Sequence, residues 1–173
     1  VKLVADMGAY LQLLTPGIAI FGSFTYPGLY TFDAYSFECV GAFTNLTPTD
    51  AYRGAGRSEA AYAHERAMDA LARELAMDPA ELRIQNLIPP FDEPTTNPAG
   101  VMYDSGDYEA CMRKALELAN YEELRAEQRR RRENGDTKQL GIGIGNFTES
   151  GGLSPSKVAA GVRLQSGGWE AAQ

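Results

Sequence analysis

The spacing of apolar and polar positions changes period several times along this chain, and each change predicts an element. Residues 2–14 alternate and read as a strand, with an irregularity at Met7-Gly8. Thr15-Pro16-Gly17 marks a turn, and a short helix follows to about Phe24 before Tyr26-Pro27-Gly28 breaks it. Residues 34–44, rich in Phe, Val and Tyr, read as a second strand. The longest helical pattern runs from about Ser58 to Ala76, where His64, Met68, Leu71 and Leu75 recur as the buried stripe. Asp78-Pro79-x-Glu81 then starts another helix: an aspartate cap, a proline at the first position and an acid to complete a capping box. It stops before Pro89-Pro90, and residues 91–103 read as a proline-rich loop. A fourth helix is predicted from about Asp107 to Asn120, with Tyr108, Cys111, Ala115 and Ala119 on one face. A fifth, polar helix covers about 121–133 and ends at Asn134-Gly135. Leu140 to Thr148 reads as a strand, residues 158–165 as its hairpin partner, and Glu149 to Pro155 as the loop between them. There is no internal repeat and no regular strand–helix alternation, so the expected class is α+β, with mixed strands and several packed helices.

Composition narrows the function. A chain of 173 residues holds one domain with a real core. Its 44% apolar and 23% charged residues are ordinary for a globular protein. No apolar run approaches the roughly 20 residues of a spanning helix, since Gly22 interrupts the segment around Ile18 to Phe24. The first residues, Val1-Lys2-Leu3, show neither an initiating Met nor a signal-peptide pattern. The expectation is a cytoplasmic protein from which this chain is cut at both ends. A net charge of −7 disfavours a general nucleic-acid surface. The basic run Arg129 to Arg132 lies among Glu122, Glu123, Glu127 and Glu133 and reads as a solvated helix face. Cys39 and Cys111 lack Cys-x-x-Cys spacing and a nearby His, which points to reduced thiols rather than zinc or a disulfide scaffold.

The segment with the most chemical content is Ala51-Tyr52-Arg53-Gly54-Ala55-Gly56-Arg57. Glycines without Cβ let a backbone lie against a ligand, and two arginines supply forked donors suited to anions. Ser58 is placed to cap the helix that follows, whose start offers free N–H groups and partial positive charge. Two readings stand: an anion-binding loop, or a surface turn with two solvated arginines. Other candidates are weaker. Gly141-x-Gly143-x-Gly145 lacks dinucleotide spacing and reads as a strand against which another backbone packs. His64, the single histidine, lies on an apolar stripe and reads as an interface residue. Asp104, Asp107 and Glu109 lack calcium-loop spacing and suit helix capping. Asn45-Leu46-Thr47 and Asn146-Phe147-Thr148 are acceptor sequons without a secretory signal. Glu149, before a glycine-rich loop, reads as a surface carboxylate.

A family resemblance rests on several segments in order. Thr49-Asp50-Ala51-Tyr52-Arg53-Gly54-Ala55-Gly56-Arg57-Ser58-Glu59-Ala60 resembles the cofactor loop in the large subunit of molybdenum hydroxylases, the family of xanthine dehydrogenase, aldehyde oxidoreductase and carbon monoxide dehydrogenase. Asp6-Met7-Gly8-Ala9-Tyr10, Phe43-Thr44-Asn45, Asp78-Pro79-Ala80-Glu81-Leu82-Arg83, Asn86-Leu87-Ile88-Pro89, Tyr103-Asp104-Ser105-Gly106-Asp107-Tyr108 and Gly141-Ile142-Gly143-Ile144 with Phe147-Thr148-Glu149 are similar to further family segments. The wording is nearest the form II, carbon monoxide dehydrogenase-like branch.

The resemblance implies a partial molybdopterin-binding domain: about 1–138 a first cofactor-binding portion and about 139–173 the start of the next. It implies a molybdopterin, often in its cytosine dinucleotide form, bound by Tyr52, Arg53, Gly54, Ala55, Gly56 and Arg57. Hydroxylation would use water-derived oxygen, and electrons would leave through an iron–sulfur small subunit and an FAD-binding medium subunit. Two departures matter. The copper-binding cysteine of true carbon monoxide dehydrogenases falls at Gly54, so copper is not expected. The substrate-binding arginine of xanthine-oxidising relatives falls near Phe21, and no arginine precedes Arg53, so a neutral aldehyde or N-heterocycle is the expected small-molecule substrate. The catalytic glutamate and further cofactor loops of the family have no match here. The 173 residues alone are therefore expected to be inactive and cofactor-free, with no catalytic residue and no metal ligand among them. A non-catalytic homologue or assembly module, and an unrelated phosphate-binding domain, remain as alternatives.

Overall fold

The computed structural model describes residues 1–12 and 15–149. The predicted hairpin partner at 158–165 and most of the loop before it lie outside the described residues. In chain order the elements are β1 (Lys2–Gly8), α1 (Thr15–Phe21) running into a 3-10 turn at Gly22–Phe24, β2 (Glu38–Phe43), α2 (Arg57–Glu74), α3 (Pro79–Asn86), β3 (Thr95–Thr96), β4 (Met102–Tyr103), α4 (Tyr108–Leu118) and α5 (Tyr121–Glu133). The class is α+β, as expected.

The strands pair more sparingly than the alternation predicts. β1 and β2 form a parallel pair in which Lys2 faces Glu38 and Asp6 faces Ala42. A bulge between Asp6 and Gly8 shifts the register, and the pairing closes with Gly8 facing Phe43. The bulge is held by the Asp6 carboxylate, whose Oδ1 accepts from Gly8 N–H at 2.9 Å and from the Thr44 hydroxyl at 2.7 Å. Those bonds keep the Asp6 carboxyl below the usual aspartate range. The chain leaves the ladder there, so the strand is shorter than residues 2–14. Thr15-Pro16-Gly17, expected as a turn, forms the first turn of α1, where proline costs no hydrogen bond. β3 and β4 are a short antiparallel pair inside the predicted loop.

The core gathers Leu29, Tyr30, Met68, Ala72, Leu82, Leu87, Met112 and Tyr121. Two predicted helix faces are rotated relative to it. On α2 the buried residues are Ala60, Glu65, Met68 and Ala72, whereas Leu71 and Leu75 are exposed. On α4 the face is Tyr108, Met112 and Leu116, and Cys111 is exposed. On α2 the shift has a partner behind it, since Glu65 and Asp69 turn toward Arg83; on α4 the larger apolar side chains of Met112 and Leu116 take the core side. Asp78 caps α3 by accepting from Ala80 N–H at 2.8 Å, and Asp107 caps α4 by accepting from Ala110 N–H at 2.9 Å.

Residues 140–149 form neither a helix nor a strand ladder among the described residues, although half-buried and exposed positions alternate along them. Side chains hold them instead. Gln128 Nε2 donates to Leu140 O at 2.9 Å, Arg83 Nη2 to Ile144 O at 3.4 Å, and His64 Nε2 lies 3.2 Å from Asn146 O. Ile142 and Ile144 pack on the core. A Cβ at Gly141, Gly143 or Gly145 would meet nothing within 4 Å among the described residues, so the expected close backbone packing at these glycines is not found among them.

Candidate cofactor loop

Residues 49–57 are fastened at both ends, and their middle is open. At the entry Thr15 is fully buried; its hydroxyl donates to Thr49 O at 2.7 Å and accepts from Gln12 N–H at 3.0 Å. Two overlapping turns follow, with Ala55 N–H donating to Tyr52 O at 2.9 Å and Arg57 N–H to Gly54 O at 2.7 Å. Gly54 and Gly56 occupy the third position of the respective turns at φ 92° and 80°, the left-handed backbone that a type II turn demands and glycine adopts without strain.

The two glycines do different work. A Cβ on Gly56 would lie 2.3 Å from Ile18 O and 2.6 Å from Gly22 N, so this residue lets the loop dock against the end of α1. A Cβ on Gly54 would meet nothing within 4 Å among the described residues, so the backbone there is open on that side with respect to them. Tyr52 is 89% exposed, Arg53 is exposed, and Gly54 and Ala55 are half-buried. Arg57 is half-buried, and its guanidinium pairs with the Glu149 carboxylate. Thus one of the two arginines is already engaged, and Arg53 is the freer of the pair. A cleft of about 220 Å³ between β1, α1 and the start of α2 reaches this segment at Thr49 and Gly56, and Gly54 is not among its lining residues.

The helix start differs from the expectation. Gly56, not Ser58, is the N-cap of α2, and no side chain caps it. Ser58 lies inside the first turn and its hydroxyl donates to Glu59 Oε2 at 3.0 Å. The helix begins two residues early because the Gly54–Arg57 turn feeds straight into it. The N–H groups of Ser58 and Glu59 have no acceptor among the described residues, as the first turn of an uncapped helix requires. Gly54 and Gly56 N–H are likewise without a protein acceptor among them.

Behind the loop, α2 carries a buried polar network that sequence spacing did not reveal. Tyr30 Oη donates to Glu65 Oε1 at 2.5 Å, and Arg83 donates to Glu65 Oε2 at 2.8 Å and to Asp69 Oδ1 at 2.8 Å. Burial, reinforced by the bond to Glu65, pushes the Tyr30 hydroxyl well above the usual tyrosine range. Burial opposes the charge on Arg83, but Glu65 and Asp69 more than offset it and hold the guanidinium protonated. The only available signal was the i, i+4 pair Glu65 and Asp69 on the core-facing side of α2. His64 lies beside this network, with Nε2 shared between Asn146 O at 3.2 Å and Glu65 Oε1 at 3.5 Å, and Nδ1 buried without a partner among the described residues. Asp104, Asp107 and Glu109 do not converge: Asp104 accepts from Ser105 N–H, Asp107 caps α4, and Glu109 pairs with Arg113 at 2.7 Å.

This architecture has relatives. Residues 1–87 match the family model described as a molybdopterin cofactor-binding domain. The chain is 46% identical over 123 residues to a carbon monoxide dehydrogenase large chain of Afipia carboxidovorans, a match covering 68% of this chain and 15% of the relative. It is 36% identical over 133 residues to the nicotine 6-hydroxylase large subunit of Paenarthrobacter nicotinovorans, covering 77% of this chain and 16% of the relative. The crystal structure of a Cu,Mo-CO dehydrogenase in its carbon monoxide reduced state superposes with a TM-score of 0.77 at 38% identity, covering 89% of this chain and 20% of that one. The chain therefore spans a fifth or less of the length of these relatives. With the matched segment enclosing both β1 and the whole of residues 49–57, the chain belongs to the molybdopterin cofactor-binding domain family of molybdenum hydroxylase large subunits.

Proposed function

We propose that Tyr52, Arg53, Gly54, Ala55, Gly56 and Arg57 form one wall of a molybdopterin site in the large subunit of a molybdenum-dependent hydroxylase. The observation that carries this reading is Gly54, held at φ 92° with no described residue within 4 Å of where a side chain would start. Such a backbone admits a bulky anionic group, and the free N–H groups at Gly54, Ser58 and Glu59 suit its oxygens. Bound there, the cofactor supplies the redox chemistry of hydroxylation. The residues of this chain position it: Arg53 offers donors, Gly54 gives clearance, and Gly56 locks the loop to α1. The cytosine dinucleotide form of the cofactor, the iron–sulfur and FAD-binding partner subunits and a cytoplasmic location belong to the same reading.

The substrate we favour is a neutral aldehyde or N-heterocycle. Gly54 supplies no sulfur ligand for copper, which speaks against copper-dependent oxidation of carbon monoxide despite the resemblance to carbon monoxide dehydrogenases. Phe21 brings no charge to this region: its backbone abuts Gly56 and its ring lies against Gly17. The kinship with a nicotine 6-hydroxylase fits an N-heterocyclic substrate. The test is molybdenum, copper and pterin analysis of the full-length subunit purified with its partners, followed by turnover of aldehydes, N-heterocycles, xanthine and carbon monoxide. Stoichiometric molybdenum without copper, with aldehyde or N-heterocycle turnover, is expected. A copper-containing enzyme that oxidises carbon monoxide and rejects the others would overturn it.

A further inference from the structure

A second groove, of about 290 Å³, opens between α2 and α5, away from the loop. Arg66 and Arg73 line it from α2, and Arg125 and Arg132 line it from α5. On each helix the two arginines are seven residues apart, two turns or about 10 Å along the axis. Ile142 and Ile144 also line it, adding an apolar surface. The local acids do not balance these charges. Asp69 is held by Arg83 at 2.8 Å and by Arg66 at 3.6 Å, and Asp78 by Arg125 at 3.0 Å. Arg73 and Arg132 have no carboxylate within 4.0 Å among the described residues. In a chain of net charge −7, this is a concentration of guanidinium groups against the trend.

We propose that this groove docks an acidic segment of a separate partner polypeptide, with carboxylates about 10 Å apart flanking apolar side chains. Guanidinium forks recognise carboxylates bidentately, and charge complementarity selects the partner. The apolar surface favours a peptide over a small phosphate anion, which would gain nothing from Ile142 and Ile144. The chain's overall negative charge disfavours nucleic acid. The proposal is independent of the cofactor reading. The test uses the native assembly carrying Arg73→Lys and Arg132→Lys, which keep the charge and introduce amines that a carbodiimide couples to carboxylates. Mass spectrometry should map the couplings to Asp or Glu in an acidic, apolar-interrupted stretch of another polypeptide. Charge reversal by Arg73→Glu and Arg132→Glu should weaken binding of that polypeptide at least about tenfold, while Arg113→Glu on α4 should not. Coupling confined to this chain, or no effect of charge reversal, would overturn the proposal. Calorimetric binding of pyrophosphate that charge reversal abolishes, with no polypeptide coupled, would overturn it in favour of a small phosphate anion.

Discussion

The Arg83 guanidinium, fully buried, donates from Nε to Glu65 Oε2 at 2.8 Å across 18 residues of sequence and so fastens α3 to α2. The other Glu65 oxygen accepts from Tyr30, and Arg83 Nη1 donates to Pro79 O at 3.0 Å. This pair sets the rotation of α2, and hence where the loop at its N-terminus points. A buried ion pair adds little net stability over an apolar replacement, but losing one partner strands the other charge.

Arg83→Met should therefore destabilise the chain by about 3–5 kcal/mol. The double variant Glu65→Leu with Arg83→Met should cost less than the sum of the single changes. Urea unfolding followed by circular dichroism measures both, and additive costs would show that the pair does not act as a unit.

Alkaline pH should destabilise the fold through its buried tyrosines. Burial raises Tyr30 and Tyr35, the latter to about 12, and burial with the bond to Asp78 raises Tyr121 to about 12. The folded state thus holds these protons more tightly than the unfolded chain does. Their stabilisation is complete below about pH 10, the unfolded tyrosine value, and is lost as pH rises toward and through the folded values. Unfolding measured at pH 8, 10 and 11.5 should show the decline, and Tyr30→Phe should flatten it. An unchanged pH profile for Tyr30→Phe would remove Tyr30 from this account.

The glycines of the loop should separate in a stability assay. Gly54→Ala meets no neighbour and should cost about 1–2 kcal/mol for the left-handed backbone alone. Gly56→Ala adds a contact of 2.3 Å with Ile18 O and should cost clearly more. Equal losses by thermal unfolding would contradict the docking of the loop on α1.

Much of this fold was legible because its signals are local. Asp78 and Asp107 cap their helices as read, since a cap is decided within three residues. The turn glycines Gly54 and Gly56 were legible for the same reason. The face of α2 was not, because Arg83 draws Glu65 and Asp69 inward and leaves Leu71 and Leu75 outside, a choice made by a residue on another helix. Residues 140–148 have the composition of a strand and its alternation of half-buried and exposed positions, but their partners are the side chains of Gln128, Arg83 and His64. The engagement of Arg57 by Glu149 joins positions 92 residues apart and has no local signature.

Thr15 should prove more important to the loop than its place in a short helix suggests. Thr15→Val removes a buried hydroxyl and leaves Thr49 O and Gln12 N–H without it. A loss of about 1–3 kcal/mol is expected, with faster amide exchange from residues 49 to 57. Unchanged exchange there would mean that the loop is fastened only by Gly56.

The most direct test of the cofactor wall is the molybdenum and pterin content of the full-length large subunit, purified with its partners, as wild type, Gly54→Trp and Gly100→Trp. Gly100 also has a positive φ, 85°, with no described residue within 4 Å of its Cβ position, and belongs to the β3–β4 connection rather than to residues 49–57, so it controls for backbone strain. Near-stoichiometric cofactor in the wild type and in Gly100→Trp, with loss in a folded Gly54→Trp, is the predicted result. Full cofactor content in Gly54→Trp would contradict the placement of residues 52–57 at the molybdopterin.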